Sequence, residues 1–265
     1  MATLKLAASN IGWAKEDDAI VYAKMKELGY TGLEIAPTRI FPAPAYDYIR
    51  QVPLFAAYIY QEYGFTIPSM QSILNGKTEN LFDEAGAYSL TATLDEAFHF
   101  ARACRCENLV FGCPRNRSIP EGLSPEAADA FFGECGTLAA KQEVTLALET
   151  VPPCYNTNFL NNTADTFAYV KRLGAPGLSV NLDIGAMLTN GEKLADIVND
   201  LSLVSHVHIS EPGLAPVVEH SIHKELALLL KGLGYQGYVS VEMKTTDAAT
   251  MCESLAYVAS VFGGE

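Results

Sequence analysis

The sequence has no long apolar run and few basic residues, and each of these features excludes a class of protein. No stretch of about 18 consecutive apolar residues occurs, so we expect no transmembrane helix. Lys and Arg number 18 against 31 Asp and Glu, which gives a formal net charge of −13. Nucleic acids and anionic membrane surfaces attract clustered Lys and Arg, so we expect neither of them as a partner.

The sequence also shows no targeting segment and no disulfide framework. No charged leader followed by a long apolar stretch opens the chain, so no secretory signal is predicted. Six cysteines are scattered along the chain, a pattern typical of reduced thiols in a cytoplasm. Cys104 and Cys106 resemble half of a zinc site, but no second pair follows at a suitable spacing. We therefore expect a cytoplasmic protein with free thiols.

One phrase occurs three times: Leu-Gly, two residues, Gly, and then an apolar run that ends on an acid. The copies run from Leu28 to Glu34, from Leu173 to Asp183 and from Leu233 to Glu242. The first Gly of each copy is typical of a helix C-cap, because only Gly adopts the left-handed conformation cheaply. The apolar run indicates a strand that is buried on both faces. The acid is then expected where that strand emerges.

Eight strand-like stretches alternate with helix-like stretches, and this alternation predicts the fold. The strands are predicted at residues 5–8, 31–35, 65–70, 107–111, 144–149, 178–183, 203–209 and 238–242. Helical stretches are predicted at residues 16–28, 47–63, 81–104, 124–140, 162–173, 192–199, 221–233 and 246–262. No glycine-rich phosphate turn follows the first strand, which disfavours a doubly wound open sheet. We predict an α/β fold, a single (β/α)8 TIM barrel, as one domain over residues 1–265.

Four residues at the carboxyl ends of the last four predicted strands are the candidate site. Glu149, Asp183, His208 and Glu242 lie at, or one residue before, the ends of strands five to eight. Neighbouring strands stand about 4.8 Å apart, so these side chains can meet around one point. Three carboxylates at that distance repel unless a cation neutralises them. Oxygen ligands with one imidazole favour Mg²⁺, Mn²⁺ or Co²⁺ over a thiolate-type zinc site.

Through the segments that carry these residues, the sequence resembles the xylose-isomerase-like TIM barrel superfamily, the sugar isomerase/epimerase family. The matching segments are residues 146–149, 181–185, 206–211 and 234–242, with weaker matches at 29–35 and 109–112. The resemblance implies one divalent metal ion, with Mn²⁺ ahead of Mg²⁺ and Co²⁺, bound by Glu149, Asp183, His208 and Glu242. It also implies that Glu149 and Glu242 are the acid–base pair that removes and returns a proton beside a sugar carbonyl.

The residues expected to bind the substrate depart from the ketohexose epimerases of that family. Ala186 stands where they usually carry His, Leu214 where they carry Arg, and Tyr155 where they carry Glu. Other side chains are therefore expected to contact the substrate. The substrate-binding candidates are Glu211, His220, Arg115, Arg117, Trp13 and Tyr155. For most of them a rim or solvent position is an equally good interpretation.

One further acid and one further histidine are expected to have structural roles. Glu34 ends the second strand and is expected to orient the pocket or a neighbouring group, since it lies far around the ring from the seventh strand. His206 shares a strand face with His208 and is expected to be a core residue.

The leading hypothesis is a metal-dependent isomerase or epimerase of a sugar or sugar phosphate that acts through a metal-stabilised ene-diolate. A metal-dependent lyase of the same superfamily is the alternative, either an inosose-type dehydratase or an enzyme of 3-keto-glycoside β-elimination. A sugar-binding barrel without activity is the non-enzymatic alternative, and an endonuclease is disfavoured by the charge. The expected partner is a small carbohydrate; related barrels often pair, so a homo-oligomer stays open.

Overall fold

Eight parallel strands form the core of the protein in a computed structural model that describes residues 3–264. The predicted domain of residues 1–265 therefore includes residues 1, 2 and 265, which lie outside the described residues. The strands are β1 (Lys5–Ser9), β2 (Gly32–Glu34), β3 (Ser69–Met70), β4 (Asn108–Phe111), β5 (Thr145–Glu149), β6 (Leu178–Asp183), β7 (Val204–Ile209) and β8 (Tyr238–Val241). They pair in the order β2-β1-β8-β7-β6-β5-β4-β3.

Backbone hydrogen bonds in and beside β2 and β3 bring the two edges of this sheet together. The Leu33 N–H donates to the Thr66 carbonyl at 2.9 Å, and the Ile35 N–H donates to the Ser69 carbonyl at 3.1 Å. Isolated parallel bridges join Gly32 to Thr66 and Ile35 to Met70. The sheet is thus a nearly closed (β/α)8 barrel, as the alternation of strands and helices predicted.

Helices surround the strands and bury an apolar core between the two layers. They are α1 (Asp18–Glu27), α2 (Pro37–Ile40), α3 (Val52–Tyr63), α4 (Glu84–Ala103), α5 (Asp129–Lys141), α6 (Thr163–Leu173), α7 (Ile184–Asn190), α8 (Ser221–Leu233) and α9 (Ala248–Phe262). Gly174 and Gly234 end α6 and α8 in the left-handed conformation, with φ of 56° and 64°. The C-cap role predicted from the repeated phrase is confirmed at both positions. None of the helices over residues 3–264 combines the length and apolar character needed to cross a membrane.

The helix after β6 is the main error in the predicted elements. It was expected at residues 192–199, but α7 begins immediately after the strand, and residues 194–203 form short 3-10 turns. The Asp183 carboxylate caps this helix by accepting the Ala186 N–H at 2.9 Å. Because Ile184 and Met187 are both buried, the apolar run of the strand continues into the helix and conceals the boundary.

Strand β3 is shorter than predicted, and two predicted helices begin with 3-10 turns. Pro68 lies inside the expected strand and has no N–H to donate, so regular pairing covers only Ser69 and Met70. The stretches predicted at residues 47–63 and 124–140 contain a 3-10 turn before α3 and before α5 respectively. Residues 37–44, where neither a strand nor a helix was predicted, contain the one-turn helix α2.

Candidate active site

The four acidic and imidazole side chains expected at the strand ends converge at one end of the barrel. Glu149 and Asp183 are the last residues of β5 and β6, His208 lies in β7, and Glu242 directly follows β8. One ligand-type atom from each of the four lies within 4.8 Å of the others. His208 is fully buried, whereas Glu149 and Asp183 are partly open to the cavity above them.

His208 presents one ring nitrogen to the carboxylates and the other to Glu34. Its Nδ1 lies 3.1 Å from Glu149 Oε1 and 3.2 Å from Glu242 Oε2. Its Nε2 lies 3.1 Å from both carboxylate oxygens of Glu34. A carboxylate that accepts the proton of one ring nitrogen selects the tautomer whose other nitrogen is free as a ligand. With a cation bound, Glu34 would therefore keep the lone pair of Nδ1 directed towards the ion among the three carboxylates.

Glu34 reaches His208 across the interior of the barrel. Strands β1 and β8 separate β2 from β7 along the wall, yet the side chains meet inside. The expected orienting role fits these contacts, but the inference that Glu34 lies far from the seventh strand is wrong. Glu34, His206 and His208 also form a second group of ligand-type atoms. Direct contacts occupy this carboxylate: His206 Nε2 at 3.3 Å, and the Ser240 hydroxyl, which donates to it at 2.7 Å.

Neighbouring polar groups hold Glu149 and Asp183 in place. Asn181 Nδ2 donates to Glu149 Oε1 at 2.6 Å, and the Ser210 hydroxyl donates to Asp183 Oδ1 at 2.5 Å. Gly112, just after β4, leaves room for the other oxygen of Glu149, since a Cβ at this position would overlap Oε2. Asn181 and Ser210 were not predicted. Asn181 lies two residues before Asp183 on the same strand face, and this alternation was the available signal.

The electrostatics of the cluster are those of crowded carboxylates. Burial raises the pKa of Asp183 to about 7, and the charges of Glu149 and Glu242 add to this effect. Burial also raises the pKa of Glu149, with a contribution from Glu242. For His208 burial opposes the charged form, but Glu242 and Glu34 outweigh it and hold the pKa of the imidazole well above its usual range. Only His208 offsets the acids in this cluster.

The donor set fits a divalent cation. Three carboxylates and a neutral imidazole nitrogen supply oxygen and nitrogen ligands from four successive strands. A divalent ion would remove the repulsion that raises the pKa values of these acids. The buried contact between Glu34 and His208 is the support commonly found behind a metal-binding histidine. Glu149, Asp183, His208 and Glu242 are therefore the residues that would bind such an ion.

A cavity of about 420 Å³ opens over these four residues. The loops after β3, β4 and β5 form one side of it, and the segments after β6 and β7 form the other. Of the candidates for substrate binding, Arg115, Tyr155 and Glu211 line the cavity. Both oxygens of Glu211 are engaged, Oε1 by the Val218 N–H at 3.0 Å and Oε2 by His220 Nε2 at 2.9 Å.

Comparison of the sequence with protein families decides the family. The family model described as "Xylose isomerase-like TIM barrel" matches residues 22–260. The chain belongs to this family. A search of curated proteins finds no match.

Several solved structures share the fold of this chain at low sequence identity. A D-psicose 3-epimerase, solved in the presence of D-fructose, is 18% identical with a TM-score of 0.79, covering 98% of this chain and 100% of its own. The 3-keto-D-glucoside 4-epimerase of E. coli is 18% identical with a TM-score of 0.73, covering 97% and 99%. An AP endonuclease of family 2 from Brucella melitensis is 21% identical with a TM-score of 0.72, covering 97% and 99%.

Arg117 is buried and is not among the residues that line the cavity, contrary to the expectation. Its guanidinium is fully buried and donates to the backbone carbonyls of Gly112, Glu149 and Phe159 at 2.9, 2.8 and 2.7 Å. The planar fork of Arg suits several carbonyls at once. Arg117 therefore fastens the end of β5, which carries Glu149, to the loops on either side.

His220 and Trp13 are also corrected by the structure. His220 is not among the residues that line the cavity, because it lies behind Glu211 and contacts its carboxylate. Trp13 is 1% exposed, donates its indole N–H to Asp18 at 2.8 Å and packs edge-on against Tyr22. A large apolar ring whose one donor is satisfied inside the protein is stable in the core. Trp13 is thus a core residue and does not form a wall of the pocket.

We predict that Mn²⁺ binding stabilises the folded protein and that this stabilisation depends on Asp183. At a free ion concentration a hundred times Kd, binding adds about 2.7 kcal/mol to the free energy of unfolding. Asp183→Asn retains a residue that can cap α7, but it removes a charged ligand, so Mn²⁺ affinity should fall at least tenfold. Calorimetric Tm with and without Mn²⁺ measures this, with the exposed Asp196→Asn as control. An equal Mn²⁺ response in both variants would contradict the assignment.

We predict that Gly112→Ala weakens the site without removing a ligand. The added methyl would overlap Glu149 Oε2, whose partner oxygen is fixed by Asn181, so the carboxylate must turn away. Mn²⁺ affinity measured by titration calorimetry should fall about tenfold or more, while the Tm of the metal-free protein changes little. Gly133→Ala in α5, where a Cβ meets nothing within 4 Å, is the control. Wild-type affinity in Gly112→Ala would show that the position of Oε2 is unimportant.

Proposed function

We propose that this protein is a divalent-metal-dependent sugar isomerase or epimerase. The observation that carries the proposal is the pairing of Glu149 and Glu242, which approach the same nitrogen of His208 at 3.1 and 3.2 Å beneath the cavity. Membership of the xylose isomerase-like family supports it. The D-psicose 3-epimerase and the 3-keto-D-glucoside 4-epimerase support a sugar substrate, although their likeness demonstrates the fold alone.

Glu149 has one fixed oxygen and one that can exchange a proton. Oε1 accepts Asn181 Nδ2 and contacts His208 Nδ1, whereas Oε2 has no hydrogen-bond partner within residues 3–264. Burial raises the pKa of Glu149 towards neutrality, which improves its match to proton transfer at the operating pH. Oε2 would therefore take the proton from the carbon beside the substrate carbonyl.

Glu242 completes the acid–base pair from the far side of His208. It follows β8, three places along the ordered sheet from β5, which carries Glu149. Two carboxylates that face the same carbon from different sides can remove a proton and return it with inversion. When bound, the metal polarises the substrate carbonyl and stabilises the negative charge of the ene-diolate. Asp183 and His208 would hold that ion together with Glu149 and Glu242, and Glu34 would keep His208 in the required tautomer.

A lyase on the same residues is the second candidate. Ala186 and Leu214 line the cavity and offer no hydrogen-bond donor from their side chains to a sugar hydroxyl. A substrate that loses a hydroxyl or an aglycone from the carbon β to the carbonyl would still need the same proton abstraction from the α carbon. The products separate the two reactions, because a lyase releases water or an aglycone and an epimerase returns the whole skeleton.

Several finer assignments belong to the same proposal. We place Mn²⁺ ahead of Mg²⁺ and Co²⁺ because the ligands are mostly oxygen with one imidazole. Six cysteines without a disulfide among them suit a cytoplasmic protein. A small carbohydrate is the substrate, and a homo-oligomer is the one partner that we leave open. The net charge of −13 speaks against DNA as the substrate.

We predict that Glu149→Gln and Glu242→Gln each abolish turnover while the protein stays folded. The amide cannot accept the proton, so the rate should fall by at least a hundredfold, within the range of about 10²–10⁴ for general acid–base catalysis. The measurement is deuterium uptake from D₂O into ketoses, sugar phosphates and 3-keto sugars by Mn²⁺-loaded protein. The control is Glu107→Gln, an exposed carboxylate at the opposite end of β4.

The outcome distinguishes the three functions. Deuterium beside the carbonyl in an intact sugar, lost in both variants, supports the epimerase or isomerase. Loss of water or of an aglycone from the substrate supports the lyase. Near-wild-type exchange in either variant would contradict the two-carboxylate mechanism, and the absence of both reactions would leave a sugar-binding barrel.

A further inference from the structure

Two basic side chains line the cavity on one side of the acidic cluster. Lys77 lies in the segment after β3, and Arg115 lies in the turn after β4. The chain as a whole is strongly acidic, and the base of the cavity carries Glu149, Asp183 and Glu242. Two cations facing the same cavity are therefore contrary to the overall charge and need a local explanation.

A buried asparagine holds the two cationic segments together. Asn116 is 3% exposed, and its Nδ2 donates to the carbonyls of Lys77 and Glu79 at 3.2 and 2.8 Å. In return the Asn116 carbonyl accepts the N–H of Leu81 at 2.9 Å. The side chain of the residue next to Arg115 thus binds the backbone of Lys77. This arrangement joins the two segments that carry the cations on one side of the cavity.

The charges of this pair are largely uncompensated by the protein. Lys77 Nζ is 4.0 Å from Glu79 Oε1, which is too far for a hydrogen bond, and both side chains are about one-third exposed. Within residues 3–264 the Arg115 guanidinium makes no ion pair and no hydrogen bond. Arg117 differs, because its donors are used by backbone carbonyls. Arg115 therefore keeps its planar fork available for a ligand.

We propose that Arg115 and Lys77 form an anion subsite, and that the substrate is a sugar with a phosphate or carboxylate group remote from its reacting carbonyl. The proposal rests on the sugar isomerase or epimerase function above and names its substrate class. The carbonyl end lies over Glu149 and Glu242, and the anionic end lies towards the loops after β3 and β4. Arg binds phosphate and carboxylate oxygens through two parallel hydrogen bonds, and Lys adds a point charge.

The other side of the cavity is consistent with this orientation. Ala186 and Leu214 line it with apolar side chains, and Glu211 would repel an anion. The three acids at the base would do the same. An anionic group is therefore stabilised only beside Arg115 and Lys77.

The test compares three probes of related carbon skeleton on Mn²⁺-loaded protein: D-fructose, D-fructose 6-phosphate and 5-keto-D-gluconate. Calorimetry gives the Kd of each probe, and deuterium uptake from D₂O gives turnover. We expect at least one anionic probe to bind about tenfold or more tightly than D-fructose. Arg115→Met and Lys77→Met should each reduce that preference, the ratio of the two Kd values, several-fold. Lys24→Met, which removes an exposed charge on α1, should retain it.

Each outcome is decisive for the subsite. The anionic probe that binds more tightly identifies the group as phosphate or carboxylate. An anion that merely ligated the metal would bind Arg115→Met as tightly as the wild type, and this result would overturn the inference. Binding of neither anionic probe at millimolar concentration would also overturn it. Exchange of neutral sugars that depends on Glu149 and Glu242 would leave the proposed function intact in that case.

Discussion

The mutual repulsion of Glu149, Asp183 and Glu242 is the constraint on which the rest of the site depends. Three carboxylates with ligand atoms within 4.8 Å of one another, together with His208, cannot all be ionised without an opposing charge. In the absence of a cation, His208 supplies that charge and the pKa of Asp183 rises to about 7. A divalent ion would supply this positive charge instead, so that His208 could be neutral and Asp183 ionised. The chemistry proposed for this barrel follows from that replacement.

The interior of the barrel is organised to support His208. Glu34 is 0% exposed and receives His208 and the Ser240 hydroxyl, with His206 close by. Burial alone would raise the pKa of Glu34, but His208 and His206 hold it well below its usual range. Burying a charged carboxylate beneath the imidazole costs free energy, and the two histidines and the Ser240 hydroxyl offset that cost. The cost is consistent with a residue whose role is to orient a ligand.

Much of the fold and of the candidate site was predictable from the sequence, for physical reasons. Parallel strands buried on both faces are continuous apolar runs, so eight of them were recognisable, and acids at their ends had to converge. The start of α7 was not predictable, because Ile184 and Met187 extend the apolar run of β6. The buried positions of Arg117 and Trp13 were also not predictable. Both side chains donate hydrogen bonds to groups distant in the sequence or in a neighbouring helix, and no local sequence pattern indicates such bonds.

The pairing of Lys77 with Arg115 shows the same limit. These residues are 38 positions apart, and hydrogen bonds of Asn116 across two loops bring their segments together. Loop contacts of this kind depend on the closed barrel and not on any periodic pattern. Substrate recognition is therefore the part of the function that needed the structure most.

The most direct test of the central claim is a crystal structure of the Mn²⁺-soaked protein with anomalous diffraction at the manganese edge. The account predicts one anomalous peak at coordination distance from Glu149, Asp183, Glu242 and Nδ1 of His208, with Nε2 still bonded to Glu34. A peak bound instead by Glu34 and Nε2 of His208, or no peak at this end of the barrel, would contradict it.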